Sequence, residues 1–314
     1  MILIQALLTE TTIADEFVAS FQARRLAEKF FYWFPLSVRA WLALCSDGAY
    51  RNFTRSHSLI AQSVRDLARY TPAGPVEVVS LGAGQGDKDL MLLAGLREEG
   101  RRASYLPVDA SQALLEMACQ GALAAGFPAR GIKADVTRAD HLAALAADPE
   151  TPPPPRLVLM LGNTLGAFDP PAAAGALRGL LRPGDLLLVD GEVYAEAETV
   201  AGYDNPLNRR FAWAPLHAVG IGEGDGELRF EVREDARLPG LHPLAKYFEA
   251  RRDVAARLGG ETLAVRAGER IEMNHSYKYA ADAFLRILDG AGLAPRWRGT
   301  SEDGRFLMVL AGPA

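Results

Sequence analysis

The chain has 314 residues, which is enough for one large domain or for two ordinary ones. Hydrophobic residues make up 49% of it and charged residues 23%, a composition typical of globular rather than disordered proteins. The net charge of -5 argues against a nucleic-acid-binding surface, which is usually basic. We therefore expect a globular protein that acts on a small molecule and has no nucleic-acid partner.

Cysteine usage and hydropathy indicate the compartment. The sequence contains 2 cysteines, Cys45 and Cys119, and 5 histidines, without the C-x-x-C or H-x-x-x-H spacing of metal sites. We expect no structural metal and no disulfide framework, and hence a reducing, cytoplasmic location. The apolar start lacks the basic region of a signal peptide, and no apolar run approaches the roughly 20 residues that span a bilayer. The expectation is a protein that is neither exported nor embedded in a membrane.

The first part of the chain contains many aromatic residues. Apolar side chains at helical spacing predict that residues 13–70 are mainly helical. Aromatic residues gather at positions 30–34, and Tyr50 and Phe53 follow. Two interpretations stay open. Aromatic side chains at this density usually belong to a core, whereas Tyr50 and Phe53 would alternatively form a wall of a substrate pocket.

A glycine-rich turn organises the middle of the chain. The β-branched and apolar residues 76–81 predict a strand, which leads into a turn at residues 82–86 and then into a helix. Glycine permits positive φ angles and lets a ligand approach the backbone, and the unpaired N–H groups at the start of the helix face that ligand. We expect Gly82, Ala83 and Gly84 to line a nucleotide-type pocket. The alternative is a glycine turn without a ligand.

The details of this turn favour S-adenosylmethionine (SAM) over a dinucleotide. The G-x-G-x-x-G fingerprint needs a glycine at position 87, where this sequence has Asp87. A carboxylate there would repel a pyrophosphate, whereas SAM has no phosphate and carries a sulfonium cation. The G-x-x-x-x-G-K-[ST] pattern is absent too, because Asp89 follows Lys88. An NAD(P) oxidoreductase is therefore disfavoured.

The next predicted strand, at residues 103–108, ends in an acid. Asp109 lies 23 residues after Gly86, about where nucleotide-binding folds place a carboxylate on the ribose hydroxyls. The alternative is an acid that only favours the start of a helix. Ser111 is expected to cap that helix, predicted over residues 112–125.

A third short strand, at residues 131–134, also ends in an acid. Asp135 would reach the amino group of an adenine, with Val136 packed on the ring. The alternative is a surface aspartate before Thr137.

The alternation of strands and helices continues beyond four consecutive prolines, residues 152–155, which predict a stiff connection. Residues 157–161 have the composition of a buried parallel strand and lead into a turn at residues 162–168. A helix at residues 171–181 and a strand at residues 186–190 follow. Alternation of this kind predicts a parallel, doubly wound sheet that binds its ligand at the carboxyl edge.

The pattern breaks after this strand. Residues 191–270 contain two runs with period-two alternation, at 227–233 and 262–266, which predict an antiparallel insert. The chain then ends with a predicted helix at residues 280–292 and a hairpin of residues 295–300 and 306–310. A hairpin that closes a parallel sheet is typical of SAM-dependent methyltransferases and is not found in NAD enzymes.

We therefore predict an α/β fold: a Rossmann-like, doubly wound sheet of the class I SAM methyltransferases with a terminal antiparallel hairpin. Residues 60–192 and 275–314 would form this SAM-binding domain. Residues 1–59 and 193–274 would form a second, smaller α+β domain that holds the substrate and acts as a lid.

Five short motifs lie between residue 76 and the C-terminus. They are Gly82-x-Gly84-x-x-x-Lys88, Pro107-Val108-Asp109-Ala110-Ser111, Gly162-Asn163-Thr164-Leu165-Gly166, Tyr203-Asp204 and Ser276-x-Lys278-Tyr279. In these motifs the chain resembles the histidine-specific SAM-dependent methyltransferases of ergothioneine biosynthesis. The resemblance implies SAM as cofactor, S-adenosylhomocysteine as product, and Lys88 near the methionine carboxylate. The cofactor-binding positions that it implies, together with those read above, are Gly82, Ala83, Gly84, Lys88, Asp109, Ala110, Asp135, Val136 and Asn163.

Two substrate positions depart from the family pattern. Ala167 stands where the family has an asparagine that helps to hold the amino acid, and Asn274 stands where it has a glutamate that reads the imidazole. Loss of a charge-assisted contact costs about 1.5–3 kcal/mol. We therefore expect an amino acid or a related small amine as the methyl acceptor, with L-histidine disfavoured. The same losses leave one alternative: a SAM-binding scaffold or partner-dependent subunit without activity.

Methyl transfer needs no catalytic triad and no metal, because SAM supplies the electrophile. We assign no catalytic residue and expect the chain to position the acceptor nitrogen. Tyr203 and Ser276 would hold the polar end of the acceptor, and Asn274 would shape its side-chain pocket. The candidates for substrate positioning are Tyr203, Asn274, Ser276, Tyr50, Phe53 and Asn163. The sequence leaves the oligomeric state open.

Overall fold

The structure is a computed structural model and describes residues 2–48, 50–145 and 154–314. Part of the predicted proline connection, residues 152 and 153, lies outside this range. The chain forms two compact units. The first unit consists of Met1–Leu7, Asn52–Val193 and Lys278–Ala314, and the second of Leu8–Arg51 and Tyr194–Tyr277.

Helices and strands are numbered in chain order. The strands are β1 (Ile4–Ala6), β2 (Pro75–Leu81), β3 (Arg102–Asp109), β4 (Gly131–Lys133), β5 (Arg156–Met160), β6 (Leu186–Glu192), β7 (Gly226–Val232), β8 (Leu241–Ala250), β9 (Val254–Leu258), β10 (Glu261–Val265), β11 (Arg270–Tyr279), β12 (Leu293–Thr300) and β13 (Phe306–Pro313). The helices are α1 (Glu10–Gln22), α2 (Pro35–Cys45), α3 (Arg51–Tyr70), α4 (Asp87–Glu98), α5 (Gln112–Ala124), α6 (Ala139–Ala143), α7 (Pro170–Leu180), α8 (Glu196–Tyr203), α9 (Pro206–Ala218) and α10 (Ala281–Gly290). Short 3₁₀ turns lie at Glu28–Phe31 and Thr164–Ala167.

The first unit is built on an eight-stranded sheet with the order β1-β4-β3-β2-β5-β6-β13-β12. The strands from β1 to β6 pair in parallel. Strand β13 runs antiparallel to β6 and forms the closing hairpin with β12. The predicted doubly wound sheet with a terminal hairpin is confirmed. The chain order reverses at β2, which pairs with β3 on one side and with β5 on the other, and ligands bind at such a switch point.

The parallel strands form because their side chains are apolar on both faces. Every residue of β5 is buried, as expected for a strand that helices cover on both sides. One continuous apolar cluster joins the strands to the helices, and it includes Val78, Leu93, Leu159, Leu188 and Met308. This packing fixes where each strand ends and so positions the turns at the carboxyl edge.

The first strand was missed by the sequence analysis. Residues 1–59 were assigned to the second domain, but Ile4–Ala6 pairs in parallel with β4 and belongs to the first unit. A strand of three residues is too short to show a periodic pattern. The predicted boundary is therefore wrong at this end of the chain. The second unit instead begins at Leu8.

The second unit contains two small sheets. Strands β7 and β8 pair antiparallel, and β11 lies on the other side of β8. Strands β9 and β10 form a separate antiparallel hairpin. The two predicted alternating runs correspond to β7 and β10. They lie in different sheets, so they do not form one antiparallel pair.

Aromatic side chains of the first helices form the core of this unit. The ring of Phe17 makes edge-on contacts with Phe30 and Phe34, with centroids 5.1 Å and 5.3 Å apart. Phe30 and Phe31 are fully buried. These rings are therefore part of the core, as expected for aromatic side chains at this density. Within the described residues, no helix is both long and apolar enough to cross a bilayer.

Candidate active site

The glycine turn after β2 is held in a conformation that needs glycine. Gly82, Gly84 and Gly86 all have positive φ angles, of 71°, 56° and 83°. The N–H groups of Gly82 and Ala83 both donate to the carbonyl of Val108 at the end of β3, at 2.9 Å and 3.3 Å. The start of the turn is therefore fixed on the neighbouring strand, while its backbone keeps the shape that only glycine adopts without strain.

The carboxylate of Asp109 ties β3 to this turn. It is buried, and its Oδ2 accepts the N–H of Gly84 at 2.9 Å while its Oδ1 accepts the N–H of Ser111 at 2.8 Å. Burial raises the pKa of this carboxyl, and the N–H groups of Ser111, Gly84 and Ala110 partly offset that rise. An ionised carboxylate has about four acceptor sites, so these N–H groups do not use all of the acceptor capacity of Asp109. Asp109 also meets the start of α5, as the helix-start alternative proposed.

The predicted cap by Ser111 is wrong. Ser111 directly precedes α5, but its side chain makes no capping hydrogen bond. Its Oγ is buried without a hydrogen-bond partner among the described residues. Instead, the carboxylate of Asp109, two residues earlier, accepts a hydrogen bond from the backbone N–H of Ser111.

Asp135 occupies the corresponding place after β4. It is buried, which contradicts the alternative of a surface aspartate. Its Oδ1 accepts both the N–H and the hydroxyl of Thr137, at 2.9 Å and 2.6 Å. Its own N–H donates to Nδ1 of His141 at 2.9 Å. Val136 beside it is half-buried. Hydrogen bonds with Thr137 and His141 thus hold the loop after β4 in place.

The loop after β5 contains a residue in an uncommon conformation. Asn163 has a φ of 61°, and Arg24 is the other non-glycine residue with positive φ in the described part of the chain. The N–H of Asn163 donates to Oδ1 of Asp190 at 2.8 Å, and its Oδ1 accepts the N–H of Glu192 at 3.0 Å. Both partners lie in β6. The end of that strand therefore holds Asn163 in a conformation that costs free energy.

Lys88 lies in the same part of the first unit. Its Nζ is 5.6 Å from the ring centroid of Phe53. A Cβ placed on Gly162 would come within 2.5 Å of that Nζ, so the missing side chain of Gly162 leaves room for the ammonium. Burial raises the pKa of Asp190, and the positive charge of Lys88 partly offsets that rise. The first turn of α4 thus places a cation against the loop that follows β5.

A buried ion pair stands at the end of β6. The carboxylate of Glu192 lies 2.7 Å from Nζ of Lys278 and accepts the amide of Asn52 at 2.6 Å. All three side chains are buried. Next to them, the hydroxyl of Ser56 donates to Asp190 at 2.5 Å. No role was predicted for these groups, although two acids within three residues at the end of a buried strand are an available signal.

The second unit contains a separate polar cluster. The amide Nδ2 of Asn274 donates to Oε2 of Glu28 at 2.5 Å, and the hydroxyl of Tyr32 donates to Oε1 of the same carboxylate at 2.9 Å. Burial, and then the charge of Glu28, raise the pKa of Tyr32 well above its usual value. Tyr32 is therefore a neutral donor at any physiological pH. Asn274 and Glu28 are joined although they are 246 positions apart in the chain.

Other substrate candidates of the second unit lie among aromatic rings. The ring of Tyr50 packs edge-on against Trp41, with centroids 6.0 Å apart. Tyr203 is buried, with its ring centroid 5.8 Å from Nζ of the buried Lys246. Ser276 is half-buried on β11 and faces the same side of the strand as Asn274, two residues earlier.

The structure thus sorts the predicted site residues by unit. Tyr50 lies in the second unit and Phe53 in the first. Ala167 is half-buried in the 3₁₀ turn after β5. The predicted residues that lie at the carboxyl ends of the strands of the first unit are Gly82, Ala83, Gly84, Lys88, Asp109, Ala110, Asp135, Val136 and Asn163.

A comparison with protein families matches nearly the whole chain. The family described as histidine-specific, SAM-dependent methyltransferase matches residues 13–313. The chain belongs to this family. It is therefore a SAM-dependent methyltransferase, as the motifs had indicated.

Two relatives, one fungal and one mycobacterial, agree with this assignment. The N-methyltransferase fsqC of Aspergillus fumigatus is 27% identical over 83% of this chain and 72% of that protein. The histidine N-alpha-methyltransferase of Mycobacterium tuberculosis is 32% identical over 74% of this methyltransferase and 74% of the mycobacterial protein. A crystal structure of a SAM-dependent methyltransferase from Clostridium acetobutylicum overlaps with 84% of this chain and 92% of that one, at 13% identity and a TM-score of 0.45.

Proposed function

We propose that this methyltransferase transfers the methyl group of SAM to the nitrogen of an amino acid or a related small amine, with L-histidine disfavoured. One observation supports the position of the binding site for the methyl donor. The buried carboxylate of Asp109 is bonded to the backbone of Gly84, so the end of β3 and the glycine turn form one fixed corner at the switch point of the sheet. This corner keeps acceptor sites on Asp109 for a ligand.

The groups at this edge fit the three parts of SAM. Asp109 would accept hydrogen bonds from the two ribose hydroxyls. Asp135, with Val136 beside it, would receive the adenine amino group and ring. Lys88 would pair with the methionine carboxylate, because it brings an ammonium to the space that Gly162 leaves open. The backbone of Gly82, Ala83 and Gly84, together with Ala110 and Asn163, would complete the site.

When bound, SAM supplies an electrophilic methyl group on a sulfonium. The residues of the chain then have to place a neutral nitrogen opposite the sulfur and to exclude other orientations. Positioning of this kind accounts for about 7–11 kcal/mol of a barrier at best. Tyr203 and Ser276 would hold the polar end of the acceptor, and Asn274 would contact its side chain, since Asn274 and Ser276 share a face of β11.

The experiment is a turnover panel. Purified protein is incubated with SAM and with each of a set of free amino acids and small amines. Formation of S-adenosylhomocysteine and of the methylated product is followed by mass spectrometry, and SAM binding is measured separately by calorimetry. We expect at least one amine to be methylated on nitrogen, with a higher kcat/KM than L-histidine.

Two results would contradict the proposal. A panel without turnover, in a protein that binds SAM, would favour the scaffold alternative. Methylation of oxygen or carbon in place of nitrogen would retain the donor and reject the acceptor class.

A further inference from the structure

The cluster of Glu28, Asn274 and Tyr32 in the second unit has more acceptors than donors. A carboxylate accepts hydrogen bonds and donates none, so the nitrogen of the Asn274 amide must face Glu28. Its Oδ1 therefore points away from Glu28. That oxygen is buried without a hydrogen-bond partner among the described residues, and Asn274 itself is 5% exposed. A buried acceptor without a donor is costly and uncommon in folded proteins.

The carboxylate of Glu28 has unused capacity as well. Asn274 donates to one of its oxygens and Tyr32 to the other, which fills about half of the acceptor sites of an ionised carboxylate. Glu28 is half-buried, so part of this residue remains accessible. The Oδ1 of Asn274 and the carboxylate of Glu28 can thus both accept hydrogen bonds from a ligand.

Flat aromatic surfaces adjoin these acceptors. The ring of Tyr32, whose hydroxyl binds Glu28, lies 5.2 Å from the ring of Trp41 and 5.5 Å from that of Phe211, measured between centroids. Tyr32 and Trp41 are half-buried. Aromatic surfaces of this kind bind flat apolar groups and cations well.

We propose that Glu28, together with Asn274, determines the acceptor specificity of this enzyme by binding an N–H or O–H donor at the far end of the acceptor's side chain. The inference rests on the proposed function and names its substrate class: amino acids or arylalkylamines whose flat side chain carries such a donor. The neutral Asn274 supplies one acceptor, and the negative charge next to it comes from Glu28.

A purely structural role is the competing explanation. The bond between Glu28 and Asn274 joins the 3₁₀ turn at Glu28–Phe31 to strand β11, and the N–H of Leu26 already donates to the carbonyl of Glu272 on that strand at 2.8 Å. A tie of this kind would affect stability. It would not distinguish a ligand with a terminal donor from one that lacks only that donor, and this difference makes the two roles separable.

The test uses matched pairs of probes that differ in one donor. The pairs are L-tyrosine and L-phenylalanine, and L-tryptophan and 1-methyl-L-tryptophan. Binding to the protein saturated with S-adenosylhomocysteine is measured by calorimetry, and turnover with SAM by mass spectrometry. In at least one pair we expect the member with the donor to bind about ten- to a hundredfold more tightly, as for a charge-assisted hydrogen bond.

Substitutions test whether the preference for the probe with the donor depends on Glu28. Glu28→Gln should abolish the preference within the pair and leave SAM affinity unchanged, whereas Glu261→Gln, at an exposed position of β10, should change neither. Because Glu28→Gln also changes the contact with Asn274, the double variant Glu28→Gln/Asn274→Glu returns a carboxylate to the cluster. It should restore at least part of the preference, and the melting temperature of each variant reports on folding.

The outcomes separate the two proposals. Turnover without any donor preference, or a preference that survives Glu28→Gln in a folded protein, would overturn the role of Glu28 and leave N-methylation standing. No turnover and no binding for any probe or amine, in a protein that binds SAM, would overturn the proposed function and this inference with it.

Discussion

Gly86 shows how one residue joins the glycine turn to the helix that follows. It has a φ of 83°, and a Cβ at this position would lie 3.2 Å from Cα of Ala118 and 3.3 Å from Oη of Tyr105. Two independent costs therefore oppose any side chain here: the left-handed backbone and the contact with α5. The first cost alone is about 1–2 kcal/mol.

We expect Gly86→Ala to destabilise the protein by about 2–5 kcal/mol, the sum of backbone strain and crowding. Gly100→Ala is the matched control, because Gly100 has a φ of 76° and nothing within 4 Å of the added Cβ. It should lose only about 1–2 kcal/mol. Calorimetric melting of both variants measures the difference. Equal losses would mean that the contacts with Ala118 and Tyr105 relax freely.

Asp89 is a buried acid in the first turn of α4. The hydroxyl of Tyr105 donates to its carboxylate at 2.5 Å. Burial raises the pKa of Asp89 to about 6, although the hydrogen bonds from Tyr105 and Ser80 act in the opposite direction. The folded state thus binds this proton more tightly than the unfolded state, in which an aspartate has a pKa of about 3.9.

The sign of the pH dependence follows from linkage. Protonation of Asp89 favours the folded state fully below about pH 4, and this contribution is lost as the pH rises through about 6. Asp89→Asn keeps an acceptor for Tyr105 without the charge. Relative to the wild type, we expect the variant to gain on the order of 1–3 kcal/mol between pH 4.5 and pH 7.5.

Melting temperatures of both proteins at pH 4.5, 6.0 and 7.5 provide the measurement for Asp89→Asn. All other titrating groups are shared, so the difference between the two curves isolates this carboxyl. Parallel curves would show that the pKa of Asp89 is not raised.

At the scale of elements, the packing at the end of β6 depends on a buried ion pair. Glu192 lies on this strand, Lys278 at the end of β11 and Asn52 in the first turn of α3, and the three side chains meet in the interior of the first unit. Loss of one partner from a buried pair leaves an uncompensated charge, which typically costs 3–5 kcal/mol.

We therefore expect Lys278→Met to lower the free energy of unfolding by about 3–5 kcal/mol. The double variant Glu192→Gln/Lys278→Met should recover a good part of the loss, because it removes the stranded charge. Arg286→Met, which breaks the exposed pair with Asp282 on α10, is the control and should leave the free energy of unfolding nearly unchanged. Urea unfolding monitored by circular dichroism measures all three. A double variant less stable than the single would contradict this explanation.

Some elements were visible in the sequence and others were not. Strands β5 and β6 each contain a continuous apolar run, and the closing hairpin of β12 and β13 has a turn between two strand-like segments. By contrast, β8 contains Pro243 and is buried at most positions, so it shows neither alternation nor a clean apolar run. β11 mixes polar and aromatic residues, and buried and half-buried positions follow one another without a regular alternation.

At the scale of the whole molecule, the two compact units predict two separate responses to ligands. SAM should stabilise the protein by about 2.7 kcal/mol at a concentration a hundredfold above its Kd. The groups that would bind it lie at the carboxyl edge of the first unit, whereas Glu28 and Asn274 belong to the second.

Hydrogen exchange followed by mass spectrometry tests this division. SAM alone should protect amides of residues 82–86 and 109–111, and an acceptor should add protection at residues 28–32 and 271–276. The hairpin of β9 and β10 serves as an internal reference and should change with neither ligand. Protection of residues 28–32 by SAM alone, with no addition from any acceptor, would contradict the assignment of the acceptor to the second unit.

The sequence by itself determined the fold class, the glycine turn, the acids that end β3 and β4, and the family. These features are local: a positive φ, a buried run or a strand end is encoded in neighbouring residues, and so it can be read from one segment at a time. The family motifs are short segments of the same kind.

Only the tertiary structure decided which distant residues meet. Glu28 reaches Asn274 across 246 positions, Asn52 reaches Glu192 across 140, and Ser56 reaches Asp190 across 134. No periodic pattern specifies such pairs, because they depend on how separately formed elements pack and on which polar groups that packing leaves to be satisfied. The charge in the cluster of Glu28 and Asn274 was therefore absent from the sequence analysis and became apparent only from the folded chain.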